Sequence, residues 1–171
     1  MGLKVGERVP EARLLRMGER GVEGVDSREL LGGRRVVLFG LPGAYTGTCS
    51  TAHLPSFVRV RDRLGAKGVD AVVCVAGNDA WVMRAWGEAT GAAAAGITLL
   101  GEPSGDWFRA MDVAMEAPAV GFHNRCRRFS ALIEDGVVRL WFEEAGPGVC
   151  EATAGEAMLA ALDGTQAAAA S

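Results

Sequence analysis

No run of the 171-residue chain reaches the 18 or so apolar residues that a membrane-spanning helix needs, and residues 1–10 hold no signal-peptide core. The chain therefore reads as soluble, either cytoplasmic or belonging to an organelle if a targeting extension has been removed. Long basic runs are missing too. With a net charge of -3, there is no electrostatic footprint for nucleic acid or an acidic membrane, so small molecules or proteins are the expected partners. Cys-x-x-Cys is absent, which excludes a closely spaced redox dithiol. Four cysteines, Cys49, Cys74, Cys126 and Cys150, are scattered without the regular spacing of a secreted disulfide framework or a zinc site. A reducing compartment with one or more functional thiols fits better. Gly 24 and Pro 6 together stay below the level of a disordered chain, and neither repeat nor linker is visible. One domain over 1–163 is expected, with a short flexible tail at 164–171.

What is present alternates between strand and helix patterns. Residues 35–41 are short, apolar and β-branched, as in a strand covered on both faces, and Pro42-Gly43 ends them. A helix is expected from about Thr46 to Leu64, a second buried strand over 68–76, and a turn and cap at Gly77-Asn-Asp79. Asp79 to Thr90 reads as an amphipathic helix, 97–100 as a third strand, and 106–113 as a helix. Asp135-Gly136 between the β-rich runs 128–133 and 137–142 is a hairpin signal. The last helix, about 154–162, opens on the capping-box pattern Thr153-x-x-Glu156. A parallel βαβ unit followed by an antiparallel hairpin and a helix predicts an α/β protein of thioredoxin-like fold, with a mixed central sheet flanked by helices.

Within that order, residues 42–50 set Cys49 where the first strand hands over to a helix. In a first helical turn, unpaired backbone N–H groups and the helix dipole favour a thiolate. Taken alone, a cysteine there is more often inert packing. Thr46 can point its hydroxyl toward the same spot, as one of the donors around a reacting oxygen, and the N–H groups of Gly47, Thr48 and Cys49 can add others. His53, four residues after Cys49, would share its helix face, which raises a Cys/His hydrolase or metal pair. No third group is visible to orient the imidazole, and ligand spacing is missing, so neither metal nor cofactor is expected.

Pro42-x-x-x-Thr46-x-x-Cys49 resembles the active-site signature of the peroxiredoxins, and the wider run from Phe39 to Pro55 is similar to their type II, or peroxiredoxin-5, group. Lys4-Val-Gly-Glu-x-Val-Pro10, Gly77-Asn-Asp-Ala-Trp-Val82, Trp86, Arg128-Phe-Ser and Asp135-Gly-Val-Val138 agree with that group in order and spacing. The resemblance spans roughly residues 3 to 163. It implies a thiol peroxidase acting on hydrogen peroxide and organic hydroperoxides. Cys49 would be the peroxidatic cysteine, Thr46 the hydroxyl that steers the peroxide, Pro42 the lid over the thiolate and Arg128 the guanidinium partner. His53, Gly47 and Thr48 would line the site.

The same likeness implies how the cycle closes. Cys150 matches the resolving position of animal members and Cys74 that proposed in plant members; a core role for Cys74 and a bystander role for Cys150 remain the alternatives. The reductant would be thioredoxin, or glutaredoxin with glutathione. Members often pair as homodimers through an edge near the active site. The competing reading is a thiol redox sensor or relay with slow turnover of its own.

Overall fold

The longest apolar runs of the chain become its innermost strands, because only there are both faces of a strand covered. The computed structural model describes residues 1–146 and 148–170, with side chains through 165 outside that gap. In chain order the elements are β1 (Arg13–Gly18), β2 (Gly21–Asp26), α1 (Ser27–Leu31), β3 (Arg35–Gly40), a π-helical turn (Cys49–His53), α2 (Leu54–Ala66), β4 (Ala71–Ala76), α3 (Ala80–Ala89), β5 (Ile97–Gly101) and α4 (Asp106–Ala110). Then follow β6 (Ala114–Ala117), a 3-10 turn (Pro118–Val120), β7 (Phe122–Cys126), β8 (Phe129–Glu134), β9 (Val137–Glu143) and α5 (Gly155–Ala170).

Seven strands form one sheet in the order β2-β1-β5-β4-β3-β8-β9, with β3, β4 and β5 parallel and the rest antiparallel. Side chains alternate between its faces. Val37, Phe39, Val72 and Cys74 pack with Phe57 and Leu64 of α2, Met83 and Trp86 of α3, and Met158 and Leu162 of α5. Val36, Leu38, Val73 and Val75 pack with Leu30 of α1 and with Trp107 and Phe108 of α4. Each fully buried Val, Leu or Phe contributes about 1.5–3 kcal/mol of transfer free energy, so both faces of the sheet are held independently. Strands β6 and β7 stand apart as a two-stranded hairpin. Among the described residues no helix is long and apolar enough to cross a membrane.

Several features depart from the sequence reading. The hairpin β1–β2 is unexpected there, since its strands are mostly half-buried and mix charged with apolar residues without a clear run; β6 and β7 are hidden for the same reason. The first site helix begins with an α turn at Gly47 and Thr48, where Ser50 N–H bonds to the Thr46 carbonyl, and then widens into a π turn in which Leu54 N–H bonds to the Cys49 carbonyl. Pro55 has no N–H to give to the residue four before it, and its ring crowds that carbonyl, so the turn widens instead. The final helix runs past Leu162 to Ala170, and the tail expected to be flexible is helical over 164–170, as its alanine run favours; Ser171 lies outside the described residues. Thr153, expected as a capping residue, donates its hydroxyl to Glu144 instead.

The start of α5 rests directly on α2. Gly155 N–H bonds to Ser56 Oγ at 2.8 Å, and a Cβ on Gly155 would stand 2.5 Å from the Ser56 carbonyl oxygen. Gly155→Ala is therefore expected to destabilise the fold by about 1–3 kcal/mol, read as a lower urea midpoint. An unchanged midpoint would mean that the two backbones are not in fixed contact.

Candidate active site

Neighbouring strands bring the site together. Gly40, at the end of β3, pairs with Phe129, the first residue of β8, so the loop after β3 and the residue before β8 emerge side by side. The first carries Pro42 to Cys49 and the second is Arg128, which sits in the two-residue link between β7 and β8 rather than inside a strand. Arg128 Nη2 donates to Cys49 Sγ at 3.3 Å. Both groups are buried, Cys49 at 2% exposure and Arg128 at 3%. A cavity of about 350 Å³ opens beside them, lined by Pro42, Thr46, Gly47, Thr48, Cys49 and Arg128 on one side and by Met115, Glu116, Ala117, Val120 and Phe122 of the small hairpin on the other.

The loop from Pro42 to Thr46 is tightly held. Arg125 Nη1 donates to the Pro42 carbonyl at 2.9 Å, and Ala44 N–H bonds to Asn78 Oδ1 at 2.9 Å. Tyr45 takes φ 62°, a conformation L side chains rarely adopt. Gly43 and Gly77 leave the space that the Arg125 side chain fills. Thr46 Oγ1 donates to the Gly43 carbonyl at 2.6 Å. With its proton so engaged, the hydroxyl offers an incoming molecule a lone pair, which corrects the expectation of a donor.

His53 is wholly buried, tilted against Phe39 and Phe57 at ring-centroid distances of 5.1 and 5.7 Å. Its Nδ1 lies 3.0 Å from Arg128 Nη1 and its Nε2 3.1 Å from the Thr153 carbonyl. A guanidinium only donates and a carbonyl only accepts, so one tautomer satisfies both: Nδ1 accepts and Nε2 carries the proton. Burial and the adjacent Arg128 charge lower the imidazole pKa to about 3, against a smaller opposing effect of Thr153. His53 is a neutral, fully engaged ring and not a base. The group that orients it, which the sequence did not reveal, is the backbone of Thr153.

The remaining cysteines lie in different settings. All four are free thiols. Cys74 is fully buried on β4 opposite Phe39, and burial, followed by the neighbouring Cys126 and Cys49, raises its thiol pKa well above the ordinary value. Cys126 is equally buried, with Sγ 3.4 Å from the Leu41 carbonyl, and burial raises its pKa too. Cys150 is half-buried; burial raises it, partly offset by Arg128. Two residues before it, the Gly148 carbonyl accepts from Thr48 Oγ1 at 3.3 Å.

Comparison with known proteins agrees with this geometry. The sequence profile of the Redoxin family matches residues 4–159. Peroxiredoxin-2E-2, chloroplastic, from Oryza sativa subsp. japonica is 41% identical over 164 residues, covering 94% of this chain and 72% of its own length. The chain belongs to the peroxiredoxins. Among solved structures, reduced Prx3 from Vibrio vulnificus in complex with hydrogen peroxide superimposes on this peroxiredoxin with a TM-score of 0.88 at 38% identity, covering 94% of this chain and 99% of that one. Peroxiredoxin 5 from Alvinella pompejana gives 0.81 at 25% identity, with 94% and 98% covered. The thioredoxin-like fold and the type II likeness read from sequence are thereby borne out, and the activity class is thiol peroxidase.

Around the site of this peroxiredoxin, the sequence reading passed over Arg125, Asn78, Thr153, Glu144 and the apolar wall of Met115, Val120 and Phe122. Paired glycines at 43 and 77 were the available signal for Arg125. His53 also makes the site pH-sensitive in a defined direction. Its pKa falls from an ordinary 6.5 to about 3 on folding, so below pH 6.5 the unfolded chain takes up a proton that the folded one refuses. Stability is full above that pH and lost as pH falls toward 3. Between pH 6 and 5, above the range where most carboxylates titrate, His53 should cost about 1 kcal/mol of unfolding free energy. Urea titrations of wild type and His53→Asn check this: the variant should lack that component, and equal slopes in both would count against a neutral buried His53.

Proposed function

We propose that this peroxiredoxin reduces hydrogen peroxide and organic hydroperoxides at Cys49, with Pro42, Thr46 and Arg128 as the groups that assist. The observation that carries the reading is the 3.3 Å bond from Arg128 Nη2 to Cys49 Sγ beside a cavity with an apolar far wall. The thiolate attacks one peroxide oxygen in line with the O–O bond; the S–O bond forms, the O–O bond breaks, and the departing oxygen keeps the bonding pair, leaving as hydroxide or alkoxide that takes its proton from solvent. Before the step the guanidinium stabilises the sulfur, and during it the leaving oxygen. Thr46 accepts a hydrogen bond from the peroxide O–H, while Pro42, with no N–H, keeps water off the sulfur. Gly47 and Thr48 line the cavity, His53 sits buried behind Arg128, and none of them transfers a proton.

The step leaves Cys49 as a sulfenic acid. A second thiolate then attacks its sulfur, forming a disulfide and releasing water, before further oxidation can occur. Support for Cys150 in that role is its half-buried position and the Thr48 to Gly148 bond that ties its neighbourhood to the first turn. Cys74, sealed in the sheet with its thiol held protonated, fits the core role better. An external thiol, thioredoxin or glutaredoxin with glutathione, returns the disulfide to thiols in a reducing compartment, whether cytoplasm or organelle. Pairing as a homodimer belongs to the same reading, with the exposed Tyr45 and Val120 as the apolar side chains available beside the site.

Stopped-flow consumption of hydrogen peroxide with either reductant should be fast in wild type and absent in Cys49→Ser. Arg128→Met and Thr46→Val should each slow the peroxide step about 10²- to 10³-fold, the usual cost of losing one positioned polar partner of a transition state. A single stoichiometric turnover with every reductant would replace the peroxidase with a redox sensor. After one equivalent of peroxide, peptide mapping should find Cys49 linked to Cys150; a Cys49 to Cys74 link, or only external thiol adducts on Cys49, would overturn the role given to Cys150.

A further inference from the structure

Glu144 lies one residue past β9 and does not line the cavity beside Cys49, but it borders an adjoining one that shares Pro42, Met115 and Arg128 with it, and its carboxylate is among the most heavily bonded of the described residues. Its Oε1 accepts from the N–H of Glu151 at 2.7 Å, the N–H of Thr153 at 2.8 Å and the Thr153 hydroxyl at 2.8 Å. Its own N–H reaches the Arg128 carbonyl at 3.4 Å. Thr153 presents its carbonyl to His53 Nε2, and His53 Nδ1 receives Arg128 Nη1. The bonds close a ring that leaves Arg128 through its guanidinium and returns through its backbone.

Resting on the reading of Arg128 as the partner of the reacting sulfur, we infer that Glu144 is a positioning residue for the peroxide step, acting through Thr153 and His53 to hold the guanidinium against Cys49. A guanidinium at the end of a long side chain has many rotamers, and each bond it makes narrows them. His53 adds the more to that restraint the less its own ring can turn. The ring is fixed because Nε2 is bonded to the Thr153 carbonyl, and that carbonyl is fixed because Glu144 grips both the N–H and the hydroxyl of the same residue. Burial opposes ionisation of Glu144, but its bonds from Thr153 and Glu151, with the Arg128 charge, outweigh this and hold its pKa below the usual carboxylate value. An anion thus closes the ring that a cation opens, and bonds to charged groups are the stronger kind.

The test uses the full reduced chain with Cys150→Ser, so that only the first step is read. Glu144→Ala should slow the reaction of Cys49 with hydrogen peroxide by about tenfold, the size expected for one lost charge-assisted bond. In the same variant the His53 Nε2 proton, followed by NMR, should exchange with solvent at least roughly tenfold faster. Glu144→Gln, which keeps an acceptor oxygen, should fall between. A carboxylate that only closed its local chain segment would speed exchange of the Thr153 amide while leaving the peroxide rate and the His53 proton unchanged, and that result overturns the inference. Should Glu144→Ala not fold, Thr153→Val removes one of the three bonds at constant volume and should shift both readouts the same way. If wild type itself does not react with peroxide, the proposed function fails, and the His53 proton still decides whether the ring holds.

Discussion

A positive charge and a sulfur atom share one dry place in this molecule, and the surrounding architecture follows from keeping them there. Removing a guanidinium from water costs several kcal/mol unless its donors find partners. Arg128 finds a sulfur on one nitrogen and an imidazole lone pair on the other. The imidazole can accept only while neutral, and the burial that makes the charge expensive is also what keeps the ring uncharged. Desolvation therefore keeps the ring neutral, and the neutral ring gives the buried cation a partner.

The sheet makes this arrangement reproducible. Cys49 and Arg128 are far apart in the chain, but β3 and β8 are antiparallel neighbours whose ends fall in register at Gly40 and Phe129. The Phe129 ring occupies the space where a Gly40 side chain would be, and it stacks on Trp141 at 4.8 Å between centroids. A glycine on one strand and a ring stack on its neighbour thus anchor the two chain segments from which the Cys49 sulfur and the Arg128 cation project. The small β6–β7 hairpin adds the apolar far wall and, through Arg125, a second guanidinium aimed at the loop backbone instead of the sulfur.

Legibility in the sequence tracked how strongly each part depends on local pattern. The buried strands 35–40 and 71–76, the Asp135-Gly136 hairpin and the Asp79 cap, which accepts from Val82 N–H at 2.9 Å, announce themselves because composition and spacing suffice to form them. Cys49, Thr46, Pro42 and Arg128 were readable through their family resemblance, and the fold brings all four to one cavity. What stayed hidden depends on tertiary partners. The Thr153-x-x-Glu156 pattern carries no trace of Glu144, which takes the hydroxyl proton, or of Arg59, which meets Glu156 at 2.7 Å. The Thr46 hydroxyl proton is taken by a carbonyl three residues earlier, in a loop that Arg125 and Asn78 hold from other elements.

The widened turn after Cys49 has a consequence for how the site could change. A regular helix advances 100° per residue, so the one residue that a π turn adds over an α turn rotates everything before it by about that angle relative to everything after it. Leu54, Phe57, Val60 and Leu64 lock α2 to the sheet from one side of that joint, and Cys49 stands on the other. The azimuth of the Cys49 sulfur is thus encoded as a residue count. Shortening the segment between Cys49 and Leu54 by one would leave every named side chain in the chain and the hydrophobic face of α2 intact, yet would swing the sulfur about a quarter turn off the guanidinium axis.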